Sequence, residues 1–195
     1  AADRLVTAAR AAGARAWAEV PQECTLDGSL DERLDDVAAG GALAKYRTGG
    51  VQPQAFPDEQ QVARFLAGCV RRGLPFKLTA GLHHAVRHTA RGAGSQGEDL
   101  EQHGLLNVVS AVAAAFGGAD DSDLADLLRD RDPHTVSGHV RALDDEKLAQ
   151  VRTAFRSFGC CGVTDPLTDL VTLGLLDQPT ADSSSSSSSS SKETS

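Results

Sequence analysis

The chain contains no methionine, one tryptophan and one tyrosine among 195 residues. Aromatic residues make up only 4%, so any core must be filled by aliphatic side chains and alanine around a few rings. Cysteine is scarce: Cys24, Cys69, Cys160 and Cys161 are too few for a disulfide framework, which points to a reducing, cytoplasmic setting. Cys160 and Cys161 are adjacent and do not form C-x-x-C. That spacing argues against a thioredoxin-like redox role and for thiols that fill a small buried space. The longest apolar run, Val108 to Phe116, is about half of what a membrane span needs. No basic leader followed by an apolar stretch opens the chain. Positive charge is the minority sign, 19 basic against 27 acidic residues with a net charge of -8. A general nucleic-acid binder and a polybasic membrane surface are therefore not expected. Neither G-x-G-x-x-G nor G-x-x-x-x-G-K-[ST] follows any strand-like run, so a dinucleotide or P-loop site lacks its main signal. The absent methionine, with a start inside a helical pattern, is expected to reflect a removed initiator or a preceding segment.

What is present reads as alternating strands and helices. Hydrophobic residues make up 41%, enough for a folded body over residues 1–177. The unbroken serine run from Ser183 to Ser191 lies in a tail, 178–195, with nothing to bury and an expectation of disorder. Strand-like runs are Ala14 to Val20, Ala42 to Arg47, Pro75 to Ala80 and Phe155 to Cys160. The first three sit about 30 residues apart with a helical pattern after each, the spacing of βαβ units and a parallel sheet. A glycine-rich loop is expected over Thr89 to Gly97. Helices follow near Leu105 to Phe116, Ser122 to Arg129 and Asp144 to Ala154, and a last one opens at Asp165-Pro166. Four strands cannot close an eight-stranded barrel of about 250 residues. The expected fold is therefore α/β, half of a TIM-like barrel with a helical insertion before the last strand. Two open sheet edges would remain. A homodimer, or a missing preceding segment, is expected to complete them, unless the helices from Leu105 to Ala154 fold back over the open face.

Candidate chemistry collects at the ends of these strands, where active sites of such folds gather. In ALAKYRTGG, alternation puts Lys45 and Arg47 on one face, and Gly49 and Gly50 let backbone approach a ligand. Two cations there suit a carboxylate or phosphate; a solvated surface strand is the plainer reading. In PFKLTAGLHH, Lys77 and Thr79 share a face, and His83 and His84 follow in the loop. A lysine within a buried strand is costly unless it is paired or functional. A desolvated amine beside Lys45 could condense with a carbonyl as a Schiff base, whereas pairing with Glu19 would make it structural. Glu19, at the end of the first strand, could orient or exchange protons. His83 or His84 could serve as acid or base.

His84 and His88 have i, i+4 spacing, but no H-E-x-x-H is present and no metal is assigned. Asn107, in the first turn of a helix, could supply a polar donor to the site. Gly159, near the end of the fourth strand, could allow a further backbone approach.

The strings AKYRTGG, FPDEQQVARFL, PFKLTAGLHH, HGLLNVVSA and FRSFGCCGVTDPLTDLVTLGLL together resemble a bacterial protein family of unassigned activity. Its succession runs aK-R-GG, FP, fK-TAGLHH, HG-lN and FG-C. The resemblance spans Ala14 to Leu176 and implies the C-terminal half of a β/α barrel. The family pattern has serine before the cysteine and proline after the paired histidines, where this chain has Cys160 and Ala85. PFKLTAG also resembles the Schiff-base strand of class I aldolases of the deoxyribose-phosphate type. AKYRTGG is similar to their second lysine-bearing strand, with the order along the chain reversed. Residues and resemblance lead to one expectation: a lyase- or aldolase-like enzyme without a cofactor, acting on a small anionic carbonyl metabolite. Lys77 would be its nucleophile, with Lys45 and Arg47 holding the anion. The alternatives are a non-catalytic anion-binding or regulatory protein, or a structural fragment of a longer barrel.

Overall fold

A computed structural model describes residues 2–91 and 99–177. The serine-rich segment and most of the glycine-rich loop lie outside the described residues. The chain begins with α1 (Ala2–Ala11), β1 (Trp17–Glu19), the short α2 (Cys24–Asp27) and α3 (Leu30–Ala39). Next come β2 (Leu43–Arg47), α4 (Glu59–Arg71) and β3 (Phe76–Thr79). Two strands absent from the sequence reading, β4 (His88–Arg91) and β5 (Asp99–Gln102), pair antiparallel across the glycine-rich stretch. Four helices follow: α5 (Leu105–Phe116), α6 (Asp121–Arg129), α7 (Pro133–Arg141) and α8 (Asp145–Ala154). The chain closes on β6 (Phe155–Gly159) and α9 (Thr164–Thr172).

The fold is α/β, with a four-stranded parallel sheet in the order β1-β2-β3-β6. Strand order follows chain order, as the βαβ spacing predicts. Ala44, Tyr46, Phe76 and Leu78 are fully buried on one face, against Leu34 of α3, Phe65 and Leu66 of α4, and Val108 and Val112 of α5. Alternation sends Leu43, Lys45, Arg47, Lys77 and Thr79 to the other face, where none is fully buried. The insertion α5–α8 adds Leu124, Ala125, Leu128 and Val151 to the same core as α4. It thickens the helical layer and leaves the opposite face of the sheet open.

Local signals explain the elements. Asp58 caps α4 with a reciprocal box: its carboxylate accepts from the Gln61 amide at 2.8 Å, and the Gln61 side chain accepts from the Asp58 amide at 2.9 Å. Asp120, Asp132 and Asp144 cap α6, α7 and α8. The cap at Asp132 and Pro133 in the first turn start α7, a helix that the interior Gly138 obscures in the sequence pattern. Four of the aromatic residues form a chain between the sheet and α4. Phe65 stacks on Tyr46 at 4.5 Å and meets Phe76 edge-on at 5.5 Å, and Phe76 stacks on Phe155 of β6. Burial also pushes the Tyr46 hydroxyl up to about 12. Cys160 is half-buried and Cys161 exposed, so they do not fill a buried space as the sequence suggested. The edge position of β6 leaves the residues beyond it open to solvent.

Phe65→Ala should destabilise the protein by about 3–5 kcal/mol, the usual range for a buried phenylalanine cut to alanine. Urea unfolding would show a lower midpoint at unchanged slope. A loss below about 1 kcal/mol would mean that the ring stack does not hold the sheet to α4.

Candidate functional site

The ends of β2 and β3 are packed with no space between their backbones. A side-chain carbon on Gly49 would lie 2.0 Å from the Ala80 carbonyl oxygen, and one on Gly81 would lie 2.6 Å from the Thr48 hydroxyl. Only glycine fits at either place. Thr48 donates its amide to the Thr79 carbonyl at 2.9 Å, and Ala80 donates to the Gly159 carbonyl at 2.9 Å. Immediately after β3 the backbone turns left-handed at Ala80 (φ 61°) and again at Leu82 (φ 59°). Two non-glycine residues in that region within three positions store strain, and strain of this kind collects at functional sites. Leu82 is buried and anchors the turn that carries His83 and His84.

A row of charged side chains crosses the open face. Glu19, Lys45 and Lys77 occupy consecutive register positions on β1, β2 and β3, and Ser157 of β6 extends the row. Lys45 donates to Glu19 at 2.6 Å, and Arg47 lies 3.8 Å from the other carboxylate oxygen. Lys77 has no carboxylate partner among the described residues; its amine sits 4.8 Å from the centre of the Trp17 ring, a cation–π contact. Thr79, at the end of the row, donates its hydroxyl to the Tyr46 carbonyl at 3.4 Å. Gly50 is exposed but close to Ala55, and Gly159 lies near Thr79. Glu19, Lys45, Arg47 and Lys77, which the sequence singles out, are thus together on one surface.

The histidines divide from that row. His83 is half-buried and makes no side-chain hydrogen bond or ion pair among the described residues. His84 pairs through Nδ1 with Asp169 of α9 at 3.0 Å and lines a separate cavity to which none of Glu19, Lys45, Arg47 or Lys77 contributes. His88 faces His84 edge-on, with ring centres 4.3 Å apart. The segment between them is irregular, so the i, i+4 spacing does not place both on a helix. No group of three metal-ligating side chains forms among the described residues.

Asn107 is part of the framework. It is fully buried, its side-chain oxygen accepts the Arg87 amide at 2.9 Å, and its amide donates to the Leu127 and Asp130 carbonyls at 2.8 Å each. Both amide hydrogens and one of the two oxygen lone pairs are used within the fold. Beside it, Arg87 is buried and pairs with Glu59 at 2.8 Å and Glu101 at 3.2 Å. One of its guanidinium nitrogens donates to Nδ1 of His103, whose Nε2 then carries the proton and donates to the Pro57 carbonyl at 2.8 Å. Burial, with Arg87 alongside, holds His103 below the ordinary histidine value.

Asp169 was not visible as a site residue, because its partner is 85 positions away in the chain. Arg87, Glu59 and Glu101 escape notice for the same reason. No protein-family model matches the chain, and no curated protein or solved structure matches it either. No helix among the described residues is long and apolar enough to cross a membrane.

His103 should leave a mark on acid stability. Its folded value is depressed, so the unfolded state binds a proton that the folded state refuses. Stability is then full above about pH 6.5 and falls as pH drops below it, by at most about 1.4 kcal/mol per pH unit for this group. His88, also held low by burial and by neighbouring His84, contributes in the same sense. The lowered carboxylates such as Glu101 act in a separate, more acidic window. His103→Gln, which can keep both hydrogen bonds, should flatten the slope between pH 6.5 and 5 in urea titrations. An unchanged slope would show that His103 is not held neutral.

Proposed function

We propose that the open face of the sheet is the site of an enzyme that acts on a small anionic carbonyl compound through the Lys77 amine. The observation that carries this reading is the division of labour along the row. Glu19 is taken by Lys45 and Arg47, and Lys77 alone is left with no carboxylate. Three cations around one carboxylate favour an anion in a chain that is acidic overall. In this scheme Arg47 and Lys45 hold a carboxylate or phosphate. The Lys77 amine attacks the carbonyl carbon, forming a C–N bond; the nitrogen gives up a proton and the carbonyl oxygen gains one. Loss of that oxygen as water leaves the imine. Glu19, the one carboxylate of the row, orients Lys45 and Arg47 and exchanges protons with them and the bound compound. Trp17, beneath the amine, covers one side of Lys77 and limits its contact with water.

Borohydride reduction in the presence of glyoxylate or glyceraldehyde 3-phosphate tests the scheme. A reduced adduct should map to Lys77, and Lys77→Arg should abolish it. Adducts spread evenly over the lysines, or none at Lys77, would remove the covalent step and leave an anion-binding protein.

The same face bears on architecture. Consecutive parallel strands with helices on one side, and charged residues on the other, support reading the unit as half of a β/α barrel. A second copy would close it by placing β1 of one protomer beside β6 of the other. Sedimentation equilibrium of the 195-residue chain at micromolar concentration should then give a dimer burying well over about 1,000 Å². A stable monomer would make the open face a solvent-facing surface.

A further inference from the structure

A cavity of about 380 Å³ opens between the segment from His84 to His88, the start of α7 and the C-terminal turn of α9. It rests on a second, smaller apolar cluster built around Ala85, Leu106 and Val136, apart from the main core. Val86, Pro133 and Leu173 give it apolar walls. Its polar groups are His84, Asp169 and His88 at one end, and two arginines.

The arginines are already compensated. Arg87 is bound to Glu59 and Glu101, and Arg131 to Glu101 and the Thr89 hydroxyl. The cavity therefore makes no demand for an anion. The histidines are different. The Asp169 oxygen that meets His84 also accepts the Ala85 amide at 2.9 Å, so the carboxylate is fixed by the backbone. A carboxylate only accepts, so Nδ1 of His84 carries the proton. In the neutral ring, Nε2 then offers a lone pair, and among the described residues no protein group takes it. His88, packed edge-on against His84, has a buried Nδ1 with no hydrogen-bond partner. Burial and the neighbouring His84 hold His88 below the ordinary histidine value.

We propose that this cavity binds a small, largely apolar alcohol or phenol, whose hydroxyl donates to Nε2 of His84, with Asp169 holding that ring in place. A carboxylate brings no proton for Nε2, and a charged ligand of either sign would give up its hydration against the apolar walls of Val86, Pro133 and Leu173. An imidazole oriented by a carboxylate is also the arrangement that draws a proton from a hydroxyl group. The site thus has the parts to polarise the O–H bond of its ligand. It is independent of the lysine row, with which it shares no residue.

Titration of the full chain with phenol tests this, with toluene and benzoate as probes of similar size. Binding is followed by the long-range proton–nitrogen spectrum of the imidazoles. Phenol should saturate and shift Nε2 of His84, with toluene and benzoate at least tenfold weaker. His84→Phe keeps a ring against His88 but no lone pair, and should reduce phenol to the level of toluene. Thr172→Trp, an exposed position on the cavity rim, should block all three. Lys77→Arg should leave phenol binding unchanged. Absence of phenol binding to the wild-type chain would overturn the proposal. Toluene or benzoate binding as tightly as phenol would do so too, as would phenol affinity retained in both His84→Phe and Thr172→Trp.

Discussion

Phe65 of α4 lies between Tyr46 of β2 and Phe76 of β3, and this contact decides which face of the sheet is buried. Once Tyr46 and Phe76 point into the helical layer, alternation leaves Lys45 and Lys77 no place except the opposite face. Burying those two amines under α4 would cost far more than the ring contacts return. The charged row is thus a consequence of the core. Its register is fixed by hydrogen bonds between parallel strands that a one-residue slip would reverse, sending the lysines inward and the rings out.

The strand ends are held by a different constraint, contact between backbones. Gly49 meets the Ala80 carbonyl, and Gly81 meets Thr48, at distances no side chain allows. Such closeness forces the chain after β3 into an abrupt turn, and the left-handed Ala80 and Leu82 are how it makes it. The turn redirects the chain from the sheet toward α9, where Asp169 receives His84. Sequence, strain and site are linked here in one stretch of eight residues, from Lys77 to His84.

Much of this was legible in the sequence, for physical reasons. Strand spacing and glycine punctuation mark β2 and β3, and period-two alternation puts Lys45 with Arg47 and Lys77 with Thr79. Both are local signals. What was hidden depends on distance along the chain. Asp169 looks like any acid on an amphipathic helix until the fold brings it to His84. Asn107 has the appearance of a site residue because a polar side chain in the first turn of a helix is exposed more often than not. Here the turn is buried, and the amide is consumed by Arg87, Leu127 and Asp130. The β4–β5 pair was concealed because glycine and polar residues dominate the stretch between its strands.

The buried Arg87 shows how the histidine cavity is supported apart from the sheet. Its partners come from α4 (Glu59), β5 (Glu101) and the short connection between β5 and α5 (His103), so one guanidinium ties two elements and a connection to the segment leading into β4. A buried charge is stabilising only while its partners stay in place, and breaking one member leaves the others unpaired. That makes the network rigid in an all-or-none way, which suits a wall that must hold His88 against His84. The lysine row needs no such device, because the sheet itself fixes its spacing. Lys77 and His84 therefore sit on the same strand and its extension but are positioned by separate means. The row depends on backbone pairing, and the cavity depends on a charge network assembled from distant parts of the chain.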